Sequence, residues 1–143
     1  MSEHTQKLLQ ECNSGCKTAI NSMDQVLKYV EDPKLEELIV RYKKKHEDLE
    51  SRAGILLDKL GEPGQEPGPM ARAMTWTTTE MKMAMHDSRT EVAKIMMDGC
   101  NMGIQSIGEY LHKYDEAESE TRHLAKDLIK AEEEFMQELE MFL

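Results

Sequence analysis

The sequence predicts an all-α protein, a bundle of four long helices in two antiparallel hairpins joined by a long crossover. Two observations predict this fold class. Apolar side chains recur at three- and four-residue spacing through most of the 143 residues, which is the period of one helix face. Strong helix-stop signals then divide the pattern into four segments. The alternation of apolar and polar residues that is typical of a strand is not seen.

The first hairpin is predicted over residues 3–61. Asp32 and Pro33 separate its two helices, because Asp is a good N-cap and Pro is favoured at the first helical position. Gly61 ends the second helix, and so short a connection makes the two helices antiparallel neighbours. The predicted apolar face of residues 3–31 is Leu8, Cys12, Cys16, Ala19, Met23 and Leu27. That of the second helix is Leu35, Leu38, Ile39, Tyr42, His46, Leu49, Ala53, Leu56 and Leu60.

The second hairpin is predicted over residues 88–143. A capping box at Ser88 opens the third helix, which continues to about Lys113. Asp115, with Glu118 three residues later, is predicted to cap the fourth helix. The apolar face of that helix is Ala117, Leu124, Leu128, Ala131, Phe135, Leu139 and Phe142.

Residues 62–87 are predicted to form the crossover. The segment GEPGQEPGP (61–69) is too rich in Pro and Gly to be helical. Residues 71–86 are predicted to be mostly helical, either as an extra short helix or continuous with the third helix, with Trp76 anchoring the segment to the bundle. An extended chain of this length reaches about 80 Å, whereas each long helix spans about 40 Å. A crossover that can run the length of the bundle indicates a ferritin-like four-helix bundle, with residues 1–143 as a single domain.

Three segments also carry a resemblance to a known family. They are DPKLEEL (32–38), LDKLGEPG (57–64) and the crossover residues Arg72, Trp76 and Lys82. On these residues the chain resembles a bacterial family of ferritin-like four-helix proteins of unknown function. That family tends to follow its Arg-x-x-x-Trp segment with a carboxylate-rich third helix, whereas MMDGCNMGIQSIGEY (96–110) holds Gly and Met there. The resemblance implies the fold and supplies no activity.

Composition excludes several function classes. The net charge of −10 disfavours binding to nucleic acid or to an anionic membrane surface. No apolar stretch approaches the roughly 20 residues that a membrane span needs, so no membrane insertion is expected. The N-terminal sequence has no secretory signal pattern, and three cysteines suit a reducing compartment. A cytoplasmic protein is the expectation.

The tetrapeptide ETRH (120–123) is the first candidate metal site. Glu-x-x-His puts a carboxylate and an imidazole on one helix face, and di-iron and di-manganese bundles use this pair twice, with a lone Glu from each of two other helices. The hairpin register places Glu109 opposite Glu120 and His123, which suggests a site for one Fe, Mn or Zn ion. On the second helix, His46, Glu47 and Glu50 lie about 9 Å too far along the bundle to complete a two-metal site. Solvated surface residues are the alternative.

The second candidate site lies near the middle of the bundle. The same register brings Cys16, His46 and Cys100 to one height, on or beside apolar faces. Two thiolates and an imidazole are zinc ligands, and Glu50 or water would supply a fourth. The alternative is that both cysteines behave as small buried hydrophobic residues and that the histidine is a hydrogen-bonded core residue.

Two functional hypotheses follow. The first is a non-enzymatic bundle that acts through protein association, as a homo-oligomer, with a dimer the first expectation, or with an unidentified protein partner. No resident cofactor is expected in this case. The second is a ferritin-like metal-binding or oxidoreductase protein that uses a partial carboxylate and histidine site. No phosphate-binding loop or nucleophile constellation points to another enzyme class.

Overall fold

The structure, a computed structural model, describes residues 2–64 and 89–143. These residues form four helices: α1 (Ser2–Leu27), α2 (Pro33–Leu60), α3 (Arg89–Lys113) and α4 (Ser119–Leu139). A 3-10 turn, Glu140–Phe142, follows α4. Both described ranges lack strands, so the all-α prediction is confirmed for them. The predicted extra helix at 71–86 and the anchoring role of Trp76 lie outside the described residues.

Local chemistry fixes both ends of α2, as predicted. Asp32 is extended, with φ −72° and ψ 116°, which is the conformation favoured before a proline. Its Oδ1 accepts hydrogen bonds from the backbone N–H groups of Lys34 (2.8 Å) and Leu35 (3.2 Å), so two otherwise unpaired donors at the helix start are satisfied. Gly61 adopts the left-handed conformation, with φ 71°, and ends the helix.

Two other helix ends differ from the prediction. α1 ends at Leu27 rather than at residue 31, because the N–H of Tyr29 bonds to the carbonyl of Val26 (2.9 Å) in a tighter turn. α4 begins at Ser119 rather than near Asp115. Contacts from α1 hold the preceding turn, since the N–H of Glu118 donates to Thr5 Oγ1 at 2.9 Å.

Contacts at the two ends of the bundle give the helix directions. At one end, the start of α1 meets the start of α4 through Thr5 and Glu118. At the other end, Arg89 at the start of α3 bonds to Asp32 at 3.2 Å. Hence α1 and α4 run one way, and α2 and α3 run the other. The helices pack as α1 on α2, α3 on α4, α2 on α4 and α1 on α3, so all four of these pairs are antiparallel.

The described core has two apolar clusters, one above the other along the bundle axis. The upper cluster, beside the α1–α2 turn, is built around Ile39, Tyr42, Met96 and Phe135. The lower cluster, beside the α3–α4 turn, is built around Leu8, Leu57, Leu124 and Leu128. His46 falls between Tyr42 and Leu49 on α2, and Glu132 falls between Leu128 and Phe135 on α4. These two polar residues therefore lie where the clusters meet.

Membrane insertion was not expected from the sequence. In the two described ranges, no helix has an apolar run long enough to cross a bilayer.

Candidate functional site

The two candidate ligands of the ETRH segment lie on the outer face of α4. Glu120 and His123 are both exposed, and so is Glu109 on α3. The buried face of α4 passes through Thr121, Leu124 and Ala125 instead. The structure therefore does not place this predicted set in the core, and metal binding by Glu109, Glu120 and His123 stays a prediction.

The middle of the bundle holds a buried polar layer, formed by Cys16, His46, Cys100 and Glu132. Each of the four helices supplies one member: α1, α2, α3 and α4 in that order. His46 is 1% exposed and Glu132 is 6% exposed. Both cysteines are buried and free. The sequence predicted that the first three share a height in the bundle, and Glu132 contacts two of them, His46 and Cys100.

His46 is held in one orientation by two partners. Its Nδ1 lies 2.7 Å from the backbone carbonyl oxygen of Tyr42. A carbonyl can only accept, so Nδ1 carries a proton and donates it. The other ring nitrogen, Nε2, contacts Glu132 Oε1. The imidazole is thus fixed with Nε2 directed into the layer.

The charge state of His46 follows from this contact. Burial acts to lower the pKa of His46, but the hydrogen bond and the negative charge of Glu132 outweigh it, so the pKa is raised. Lys45, on the same helix, has a smaller opposing effect on this pKa. The arrangement favours an imidazolium paired with a carboxylate inside the protein. In this state each buried charge is compensated by the other.

Cys100 joins the layer through Glu132. Burial raises the pKa of the Cys100 thiol well above its usual range, and the charge of Glu132 and a hydrogen bond with Glu132 raise it further. The thiol is therefore protonated at neutral pH, which makes it a donor to the carboxylate and a poor nucleophile.

Cys16 approaches the layer from α1. Burial also raises the pKa of this thiol, with contributions from Cys12, Glu132 and Glu50. Glu50, which the sequence suggested as a fourth zinc ligand, is half-buried, and its charge contributes to the raised pKa of Cys16. Cys12 lies one helical turn away, and burial raises the pKa of its thiol to about 12, with a contribution from Glu11. The two thiols on α1 are thus both buried and both protonated at neutral pH.

A glycine makes room for the carboxylate of Glu132. A Cβ placed at Gly103 on α3 would lie 3.4 Å from Glu132 Oε2. The spacing Gly99-x-x-x-Gly103 thus permits a close approach at its second glycine, and the group that approaches is a carboxylate. At Gly99, the described residues leave open space within 4 Å of an added Cβ.

The side-chain nitrogen and oxygen atoms of the layer all have hydrogen-bond partners. Across residues 2–64 and 89–143, no buried side-chain nitrogen or oxygen atom lacks a partner. Nor do any three His, Cys, Asp or Glu side chains of these residues converge in a way that could hold one metal ion. His46 and Cys100 both bond to Glu132, and a ligand would have to replace those bonds.

Glu132 is the functional candidate that the sequence interpretation missed. It stands in the acidic run Glu132–Glu134, which resembles a solvated face. A signal was available, because Glu132 follows Leu128 by four residues and precedes Phe135 by three, which puts it on the buried face of α4. Three successive glutamates hide that spacing when hydrophobicity alone is considered.

The chain was compared with protein-family models, with curated proteins and with solved structures. None of the three comparisons finds a significant match.

Proposed function

We propose that this protein is a ferritin-like four-helix bundle that binds a transition-metal ion at its buried polar layer. This is the second of the two functions that the sequence suggested. The proposed metal site now lies in the core instead of at the exposed residues Glu109, Glu120 and His123. A ferritin-like bundle has two antiparallel hairpins joined by one long crossover. Two observations support that arrangement. α1 packs antiparallel on α3, and α2 packs antiparallel on α4. Gly64 and Arg89 are the described ends of the connection between the hairpins.

The orientation of His46 is the observation that carries the proposal. Metal-binding histidines almost always donate their second ring N–H to a carboxylate or a backbone carbonyl, which fixes the tautomer. His46 donates from Nδ1 to the carbonyl of Tyr42, so an ion would bind at Nε2, in exchange for the proton that Nε2 shares with Glu132. The nearest donor atom across the layer is a carboxylate oxygen of Glu132.

The cost of burial supports a functional role for the pair. A buried ion pair is often no better for stability than apolar residues of the same size. The layer separates two apolar clusters that could otherwise join. Bundle proteins commonly build metal sites in this position, from side chains on facing helices.

The donor set does not fit the two-metal iron or manganese centre of this fold. That centre uses four glutamates and two histidines, whereas the layer holds one carboxylate and one imidazole. The resemblance to ferritin-like proteins therefore extends to the position of the site and not to its ligands.

Metal content of the purified protein tests the proposal. Protein prepared without a histidine tag or chelator is analysed by mass spectrometry, as the wild type, as His46→Gln and as Glu120→Ala/His123→Ala. We expect about one ion per chain in the wild type and in the surface variant, and loss of that ion from His46→Gln at unchanged helix content by circular dichroism. Metal that is lost only from the surface variant would move the site to ETRH, and a metal-free wild type that takes up no added ion would overturn the proposal.

Association with a second copy is the second candidate function, and a different observation favours it. Among the described residues, Met141 and Leu143 are 75% and 55% exposed at the C-terminal end. Val40 on α2 is 49% exposed, at the height where its neighbour Arg41 bonds to Glu138 near the end of α4 (2.9 Å). Apolar side chains grouped on a surface are typical of contact sites. A cytoplasmic location stays a prediction, and the three free thiols accord with it.

A further inference from the structure

We infer that the start of α1 is a pH-sensitive latch on the turn before α4, in which protonation of His4 exchanges its partner from the backbone N–H of Glu116 to the carboxylate of Asp115. The latch consists of His4 and Thr5 on α1 and of the two backbone N–H groups that they bind, those of Glu116 and Glu118. The inference does not depend on the proposed metal-binding function.

The latch joins parts of the chain that are far apart in sequence. The N–H of Glu116 donates to His4 Nδ1 at 3.2 Å, and the N–H of Glu118 donates to Thr5 Oγ1 at 2.9 Å. Glu118 is also the N-cap residue of α4, and its own side chain makes no capping hydrogen bond. The two acceptors on α1 therefore hold the turn from which α4 begins, and loss of either acceptor loosens that turn.

The direction of the His4 bond makes it sensitive to protonation. A backbone N–H can only donate, so Nδ1 of His4 accepts and carries no proton. His46 and His112 bond to the backbone in the opposite sense. In each, Nδ1 donates to the carbonyl oxygen of the residue four positions earlier, at 2.7 and 2.9 Å. A proton added to either of those rings goes to Nε2 and leaves the backbone bond in place, whereas at His4 it goes to Nδ1 and turns the acceptor into a donor.

Asp115 is the group that receives the protonated ring. Its Oδ1 lies 3.8 Å from Nδ1 of His4, and its side chain is 71% exposed, so the carboxylate has room to approach. The His4 side chain is 29% exposed, and water can deliver the proton to it. Histidine is the residue type that ordinarily changes charge between about pH 5 and pH 8. The exchange of partners is therefore expected within that range.

The other groups around His4 do not compete with Asp115 for the ring. On α1, Glu3 pairs with Lys7 at 3.1 Å, so much of its charge is already balanced. Tyr114, which follows α3, packs edge-on against the imidazole with ring centres 5.7 Å apart. Lys113 Nζ lies 5.4 Å from the centre of that tyrosine ring. The Tyr114 ring supports the position of the imidazole in both states, and the exchange takes place at Nδ1.

Nuclear magnetic resonance of the ¹⁵N-labelled full chain tests the inference. At about pH 8, the ring spectra should show an unprotonated Nδ1 in His4 and a protonated Nδ1 in His112. On acidification to about pH 5, the Glu116 amide proton should move upfield. Its protection against exchange, relative to the intrinsic rate, should fall roughly threefold to tenfold, the range expected for one lost hydrogen bond. A protonated Nδ1 in His4 at the higher pH would overturn the inference.

The Glu118 amide is the control within the same turn. Its acceptor is the hydroxyl oxygen of Thr5, which does not titrate in this range, so its protection should stay constant. Equal loss of protection at Glu116 and Glu118 would show general opening of the turn and would overturn the assignment to His4.

Two variants separate the acceptor from its charge. His4→Asn keeps an acceptor at this position that does not titrate, so the Glu116 signal should no longer change between about pH 8 and pH 5. Asp115→Asn removes the carboxylate that attracts the imidazolium, so the change at Glu116 should move to lower pH. Circular dichroism verifies that both variants retain the helix content of the wild type. A Glu116 response that persists in His4→Asn, or one that Asp115→Asn leaves at the same pH, would contradict the exchange of partners.

Discussion

His46 on α2 and Glu132 on α4 form a buried pair at the midpoint of the bundle, between two apolar clusters. The pair connects helices from different hairpins, 86 residues apart in the chain. It also links the backbone carbonyl of Tyr42 to the thiol of Cys100 through one hydrogen-bonded path.

Removal of one partner should be far more damaging than replacement of both. In metal-free protein, His46→Ala should lower the free energy of unfolding by about 3–5 kcal/mol, because Glu132 is left buried without its partner. The double variant His46→Leu/Glu132→Leu should be close to the wild type or more stable by about 1–4 kcal/mol. Urea denaturation at neutral pH measures both. A single variant within about 1 kcal/mol of the wild type would contradict a tight buried pair.

Stability in acid should depend on the N-cap of α2. Backbone N–H groups of α2 and the charge of Arg89 lower the pKa of Asp32 in the folded protein. A lowered folded pKa contributes stability above the unfolded pKa, and the contribution is lost as the pH falls through the folded value. Asp32→Asn keeps a good N-cap that does not titrate. The stability advantage of the wild type over Asp32→Asn should therefore shrink below about pH 4.

Denaturation of both proteins in parallel measures this difference, since all other carboxyl groups titrate in both. An advantage that is constant from neutral to acidic pH would show that the charge of Asp32 does not contribute to folding.

The two glycines of α3 should respond differently to alanine. Gly99→Ala should raise the free energy of unfolding by up to about 1 kcal/mol, because alanine is the better helix former and the described residues leave open space there. Gly103→Ala places a methyl group 3.4 Å from Glu132 Oε2 and should gain less. Thermal denaturation of metal-free protein measures both, and an equal gain at the two positions would show that Glu132 does not need the space.

Self-association should depend on the apolar C-terminal end. Sedimentation equilibrium of the wild type should give twice the chain mass of 16.5 kDa, and Met141→Ser/Leu143→Ser should shift the protein towards one chain mass. Ile55→Ser is the control, because Ile55 is 57% exposed and lies on the lower half of α2. A wild type that stays at one chain mass at high concentration would remove the association hypothesis.

The parts of the fold that were predictable are those that local chemistry decides. Asp32, Pro33 and Gly61 specify both ends of α2 whatever surrounds them. The start of α4 was predicted four residues early, because Thr5, more than a hundred residues away, fixes that turn. Sequence spacing can show that Asp115 is able to cap a helix, but it cannot show that α1 already holds the turn.

The same distinction applies to the polar layer. Helix periodicity and hairpin register predicted that Cys16, His46 and Cys100 share one height, and the charge of Glu132 contributes to the pKa of each. Glu132 was missed because a charged side chain is expected to face solvent. Only a partner on another helix makes its burial favourable. The buried partner of a glutamate is determined by tertiary structure, and here that partner is His46 on α2.

The polar layer also determines how α2 and α4 align. Apolar faces with repeated leucines fit one another at several offsets, one helical turn apart. The observed offset pairs Arg52 with Asp127 at 3.0 Å and Arg41 with Glu138 at 2.9 Å, with His46 and Glu132 between them. A slide of one turn would break both surface pairs and bury each central charge against apolar neighbours, at a cost of several kcal/mol for each ion. The buried contact thus favours the observed alignment over these shifted ones, as single polar residues do in coiled coils.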